Sequence, residues 1–177
     1  MFDFIPLEQY TPIYFYLQLL VVLLVFSKST TEQIDSASTK SFLKNSSIFL
    51  LLFTIFYMGF RPISGRYFGD TSTYNSYFIE YQNGGTIREG SDYLFHLFTF
   101  ICAKVMTASM YFFVCALLYV LPLYYASKKW FKDYWSYSFL FLVLSFSFWA
   151  AGTNGVRSAI ATSFVLLAFS RKSILHK

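Results

Sequence analysis

The stretch YWSYSFLFLVLSFSFWAAGTNGVRSAIATSFVLLAFS, residues 134–170, carries a single charge, Arg157, in sequence otherwise suited to a membrane. An arginine near hydrocarbon costs about 2.5–3.5 kcal/mol even on the lenient insertion scale, unless it faces protein, water or an anion. Arg157 is therefore read first as a functional residue. The competing reading is an arginine at a helix end whose head snorkels to the interface.

Composition supports the membrane assignment. The chain is 56% hydrophobic and 23% aromatic, with 13% charged residues and a mean hydropathy of +0.48. Soluble domains carry about 25% charge, so a soluble class is excluded. Charge-free runs at Tyr10–Ser27, Asn45–Phe60, Met106–Ala126 and Tyr134–Val156 approach the roughly 20 residues a spanning helix needs. A fifth begins around Gly152, contains Arg157 and ends near Ser170. The expected fold is all-α: one polytopic membrane domain over residues 1–177, of about five transmembrane helices plus interfacial amphipathic ones. The leading segment MFDFIPLEQYTP holds Asp3 and Glu8 and no Lys or Arg, the reverse of a signal-peptide n-region. Pro6 and Pro12 suit an irregular lead-in that stops where the first helix starts. Cys102 and Cys115 lie in apolar helical sequence and read as packing residues; no metal-ligand cluster or cofactor motif is found.

The net charge of +5 reads as a topology signal rather than as a nucleic-acid surface, so no nucleic-acid partner is expected. Three basic groups, Lys28/Lys40/Lys44, Lys128/Lys129/Lys132 and Arg171/Lys172/Lys177, hold nine of the fourteen Lys and Arg residues. Placing all three in the cytoplasm puts the N-terminus outside and the C-terminus inside. Residues 61–105 then form an extracytoplasmic loop with short amphipathic helices. Asp92–Lys104 cannot cross under this scheme; its polar stripe of Asp92, His96 and Thr99 suits a helix at the interface or dipping into it. The outer face gathers Arg61, Arg66, Asp70, Arg88, Asp92, His96 and Arg157. Four of the five arginines are there, against the usual bias. Their forked donors suit an outer-leaflet phosphate, although ordinary surface arginines would read the same way.

Within the loop, Asp70 followed by Thr71, Ser72 and Thr73 is a helix start by residue type. Tyr74, Tyr77, Phe78 and Tyr81 follow at i, i+3, i+4 and i+7, and Gly84–Gly85 ends the run. One reading makes Asp70 an N-cap on an interfacial helix with belt aromatics. The other points Asp70 and Tyr74 into a cavity shared with Arg157.

Two signatures stand out: Arg66-x-x-Gly69-Asp70-Thr71-x-x-Tyr74 directly after a span, and Thr153-Asn154-Gly155-Val156-Arg157-x-Ala159-Ile160-Ala161 opening a later one. In this order and on one membrane side, they resemble the EpsG family of bacterial polysaccharide polymerases, related to the Wzy O-antigen and capsule polymerases. The resemblance covers about residues 10 to 175. Ser158 departs from it, standing where the family often has glutamine. Members of the family look longer, so the resemblance implies an incomplete C-terminus or a short member.

What the resemblance implies is a glycosyltransferase of the multi-pass cytoplasmic (inner) membrane that uses no cofactor. It would join undecaprenyl-pyrophosphate-linked oligosaccharide units for exopolysaccharide, capsule or O-antigen. The lipid bilayer is its surroundings, with a chain-length regulator and a flippase as possible partners. Arg157 and Asp70 are the expected catalytic pair: the arginine stabilises the departing pyrophosphate, and the aspartate is the base for the acceptor hydroxyl. Arg61, Arg66, Tyr74 and His96 are the expected substrate-binding residues, with His96 a second candidate base. A lipid-linked glycan flippase or transporter and a non-catalytic truncated subunit remain as alternatives. A transporter would carry internal repeats or broken helices with charge near the midplane.

Overall fold

Helix α1 runs Leu7–Thr31, with Pro6 at its N-cap. The structure, a computed structural model, describes residues 4–33, 35–88, 90 and 92–175, with side chains through Arg171. Asp3 and Lys177 lie outside the described residues, as does the Lys172 side chain. Pro12 does not belong to a lead-in as expected but sits inside α1. It removes one backbone bond near the start of the helix, a loss membrane helices tolerate where neighbouring groups satisfy the freed carbonyl.

After a short turn, Ser36 accepts from the Thr39 N–H at 3.1 Å and starts α2, Ala37–Gly59. Three short helices follow: α3 (Gly65–Phe68), α4 (Thr71–Gln82) and α5 (Tyr93–Val105). Then come α6 (Ala108–Phe131), α7 (Trp135–Leu144), α8 (Phe146–Thr153) and α9 (Val156–Leu175). Among the described residues there is no strand. The protein is an all-helical, polytopic membrane protein.

Three runs are long and apolar enough to cross a membrane: Leu7–Thr31, Ala37–Gly59 and the 37-residue Ala108–Leu144. The last is not one rod. At Lys132 the backbone takes φ 44°, ψ −109°, a 3₁₀ turn covers Lys132–Tyr134, and α7 folds back along α6. Tyr124 meets Trp135 and Phe139 at ring-centroid distances of 5.3 and 5.5 Å, and further along Tyr119 stacks on Phe148 at 4.9 Å. The fifth apolar run forms α9, which packs mainly along α6; the Ser163 hydroxyl donates to the Leu118 carbonyl at 3.2 Å.

The sequence read Tyr134–Val156 as an unbroken span, and the structure divides it at Ser145. This residue is extended (φ −65°, ψ 130°) and its hydroxyl accepts from the Phe148 N–H, restarting the helix as α8. A continuous helix would have used the Val143 carbonyl internally; here it accepts from the Tyr14 hydroxyl at 3.3 Å. Aromatic residues fill the core around this break. Tyr14 stacks on Trp149 at 4.1 Å and Tyr10 on Tyr57 at 4.2 Å. The last two exchange hydroxyl-to-carbonyl bonds of 2.6 and 2.9 Å, tying α1 to the end of α2.

These contacts sort the charges by end. Tyr67 of α3 donates to Glu8 at the start of α1, while Ser29 near the end of α1 meets Tyr137 of α7. The end of α2, the α3–α5 segment and the α8–α9 junction therefore share one end, the arginine end. Lys28, Lys40, Lys44 and Lys132 gather at the other.

Helix α5 is turned inside out relative to a water-soluble helix. Its polar stripe faces protein: Asp92 to α9, His96 to α4 and Thr99 to α6. Its apolar side faces outward, with Leu94 80% exposed and Ile101 54%. At 13 residues it is about 20 Å long, too short to cross a 30 Å hydrocarbon core. Its length and its outward apolar side are those of a short apolar helix rather than a span.

Candidate functional site

The site is built where the α2–α4 connection meets the α8–α9 junction. Arg61 leaves the end of α2 and is 1% exposed. Its Nη1 donates to the Met58 carbonyl at 2.7 Å, and its Nη2 to Thr71 Oγ1 at 3.0 Å and the Thr153 carbonyl at 3.4 Å. Phe112 lies against the guanidinium, 5.1 Å from ring centre to Cζ. Burial pulls the Arg61 pKa down to about 10, so the group remains a cation at neutral pH. Thr71 completes the clamp, its hydroxyl lying 2.8 Å from the Thr153 carbonyl. One buried cation thus joins α2, α4 and α8.

Above this clamp, the Asp70 N–H donates to Asn154 Oδ1 at 2.9 Å. Gly69 lets the two segments come this close. Its φ is +51°, and a Cβ there would stand 1.9 Å from Asn154 Oδ1. Asp70 holds the N-cap position of α4, yet its side chain makes no capping bond and is exposed. The capping reading is therefore replaced by a backbone tie to Asn154, which leaves the carboxylate free of its own helix.

Arg157 lies in the first turn of α9 and pairs with Asp92, which precedes α5; their side chains are 45% and 33% exposed. The pair stands at the rim of an apolar groove of about 480 Å³ between α5, α6 and α9. Leu94, Phe95, Phe98, Leu118, Ile160 and Ala161 form its walls. Tyr74 is buried close by. Burial raises its hydroxyl pKa, the Asp70 carboxylate raises it further, and the Arg157 backbone N–H and guanidinium pull it down. The phenol stays protonated at neutral pH, its oxygen accepting from the Arg157 backbone N–H.

Of the six residues singled out by sequence, Arg157, Asp70 and Tyr74 come together. Arg61 lies beneath them, enclosed by its own partners rather than open to an anion. Arg66 is exposed and stacks over Tyr67 at 5.6 Å, on the α1 side of the loop. His96 faces away from the groove, its Nδ1 2.9 Å from the Tyr81 hydroxyl and its ring edge-on to Tyr77. The groove is bordered by Asp92 and Arg157, not by Asp70 and Tyr74 as expected. Asp92, Thr71 and Asn154 were not named as site residues. Asn154 and Thr71 belong to the two signatures, and Asp92 leads the polar stripe, so each had a local signal without a partner. Among the described residues no cluster of three or more His, Cys, Asp or Glu side chains could hold a metal ion. Cys102 and Cys115 are buried and unbonded to each other.

Comparison with known proteins settles the lineage, because the EpsG family model matches residues 47–173, well over half the chain. The chain belongs to the EpsG family. No curated protein and no solved structure matches it. Membership brings with it polysaccharide-polymerase-like activity in a membrane setting, on lipid-linked oligosaccharide. The two EpsG-like signatures quoted from the sequence meet physically in this member: Gly69, Asp70 and Thr71 of the first lie against Thr153 and Asn154 of the second. The two signatures supply opposite sides of one clamp.

Proposed function

We propose that this protein joins undecaprenyl-pyrophosphate-linked repeat units into a surface polysaccharide, working at the outer face of the cytoplasmic membrane. The observation that carries the reading is Arg157 at the rim of an apolar groove. A polyprenyl pyrophosphate is an anionic head on a hydrocarbon chain, and the groove walls suit the chain as the guanidinium suits the head. Exchange of Asp92 for a phosphate oxygen would keep the arginine paired throughout.

In the reaction, a hydroxyl of one lipid-linked unit attacks the anomeric carbon of the growing chain. The bond from that carbon to the pyrophosphate oxygen breaks, and polyprenyl pyrophosphate leaves with the electron pair. Arg157 meets the charge developing on the leaving group. Asp70 takes the proton of the attacking hydroxyl, its carboxylate being exposed and uncommitted to capping. Tyr74 donates between the two. Arg61 holds the clamp that positions them, Arg66 contacts the substrate from the α1 side, and His96 supports the loop through Tyr81 while contacting sugar with its outer edge. Capsule, O-antigen or exopolysaccharide are all products of this chemistry. The reading places the N-terminus outside, the C-terminus inside, and residues 61–105 in the extracytoplasmic loop.

Transport of the lipid-linked glycan is favoured by one feature, the interruption at Ser145. The cavity at that break, about 540 Å³, is lined by Tyr119, Leu123, Phe141, Ser145, Ser147 and their neighbours, without a charged side chain. An anionic head would cross there with no counter-charge, so polymerisation is preferred.

Deleting the gene and resolving the surface glycan on a gel tests both. Collapse of a ladder to single-repeat glycan supports polymerisation. Loss of all surface glycan would favour transport, and an unchanged ladder would defeat the proposal.

A further inference from the structure

At the lysine end, far from Arg157, a second cavity of about 200 Å³ lies between the first turns of α2 and the α6–α7 turn. Lys40 and Lys44 line it from α2, and Lys132 from the turn, together with Tyr134, Trp135 and Ser136. Opposing charge is limited. Asp133 also lines the cavity, and Lys40 is paired with Asp35 at 3.0 Å. Lys44 and Lys132 have no carboxylate within ion-pair distance among the described residues.

Lys132 is an unusual choice for its position. It is the one non-glycine residue with positive φ among the described residues, and φ 44°, ψ −109° is backbone that glycine adopts freely and other residues resist. Strain of this kind persists where the side chain is used. The lysine at this turn brings an ammonium into a cavity that already holds two more.

The surroundings suit a lipid more than a soluble anion. Trp130, Phe131 and Tyr134 are exposed beside the cavity, as aromatic residues are at a membrane interface. Leu52 on α2 and Phe141 on α7 are also exposed, as lipid-facing side chains are.

We infer that this cavity binds the phosphate of an anionic glycerophospholipid, with Lys44 and Lys132 as the principal ligands and Lys40 released from Asp35 to join them. The bound lipid fastens the α6–α7 turn to α2. This site is independent of the polymerase reading and stands or falls separately.

The test uses the intact purified protein in mild detergent, with thermal unfolding followed as phosphatidylglycerol, phosphatidylcholine or inorganic phosphate is added. Phosphatidylglycerol is expected to raise Tm by several degrees, with little effect from phosphatidylcholine. Lys132→Gly is the decisive variant. It removes backbone strain, so without lipid it is expected to unfold no earlier than wild type, yet to need at least tenfold more phosphatidylglycerol for half the stabilisation. Lys44→Ala should weaken the response similarly, and Lys104→Gln, at the other end, should not. Equal stabilisation by phosphatidylcholine would overturn the inference, as would an unaltered response in both Lys132→Gly and Lys44→Ala. An equal loss in Lys104→Gln would reduce the effect to bulk charge and also overturn it. If inorganic phosphate reproduces the full shift, the ligand is a free anion and the lipid assignment fails.

Discussion

Arg157 and Asp92 separate two meanings of an ion pair. Both side chains are partly exposed, so the pair contributes at most about 1 kcal/mol to folding. Its value lies in holding a guanidinium at the rim of an apolar groove. Asp92→Asn is therefore expected to shift unfolding by less than about 1 kcal/mol while lowering polymer yield, with protein level in the membrane measured in parallel. Arg157→Ala should reduce polymer formation roughly a hundredfold or more, the scale seen when one preorganised donor to developing charge is lost. Arg157→Lys should recover only part of it, since one ammonium cannot make the forked contact. A ladder of normal intensity from Arg157→Ala, at normal abundance, would remove the residue from the mechanism. That Arg157 stands apart was legible from one charge in 37 residues. Its partner was not, because nothing local in the sequence distinguishes Asp92 facing Arg157 from Asp92 facing water.

Among the elements, the periodic ones were readable and the interrupted ones were not. Of the aromatic repeat Tyr74, Tyr77, Phe78 and Tyr81, all but the half-buried Tyr77 form the buried side of α4, and the short helix read at Asp92–Lys104 is found at Tyr93–Val105. The break at Ser145 escaped because its neighbours, Leu144 and Phe146, are as apolar as any spanning run; a serine that caps is indistinguishable from one that packs. Arg61 escaped differently. A surface arginine and a buried one look alike until Thr71 and Thr153 arrive from distant sequence. Breaking this network should be severe, since the acceptors left behind are buried as well. Arg61→Met is expected to cost about 3–5 kcal/mol, and Arg61→Lys to rescue little, as judged by thermal unfolding in detergent. Gly152 makes a parallel case on α8. A Cβ there would meet Met58 Sδ at 2.5 Å and Tyr119 Cε1 at 2.9 Å, so Gly152→Leu should push α8 off α2 and α6 and lower stability by at least about 1–3 kcal/mol.

For the molecule as a whole, most of the arginines collect at one end and most of the lysines at the other. The fold makes this separation physical rather than statistical, because the aromatic ties fix which ends coincide. The proposed topology follows from it and is checkable by single cysteines. A membrane-impermeant thiol reagent applied from outside is expected to label Asp70→Cys and to spare Lys44→Cys until the membrane is opened. The reverse pattern would invert the protein and, with it, the side on which polymer is made. Composition alone decided that the chain is a membrane protein. Which helices touch was decided by ring shapes and glycine positions that no hydropathy profile records.

The clamp around Arg61 also has a history in time. Its cation is synthesised 92 residues before the Thr153 carbonyl, Thr71 precedes that same acceptor by 82, and Asp70 precedes Asn154 by 84. A ribosome adding roughly 5–20 residues per second leaves these groups waiting for several seconds while α5 through α7 are threaded into the bilayer. During that interval Asp92, at the head of α5, is unmatched, since it must wait 65 residues for Arg157. Nascent chains therefore pass through a stage in which Arg61, Asp70 and Thr71 lack the partners they hold in the finished fold. Synthesis of the α8–α9 junction supplies the missing partners, and only then can the clamp close.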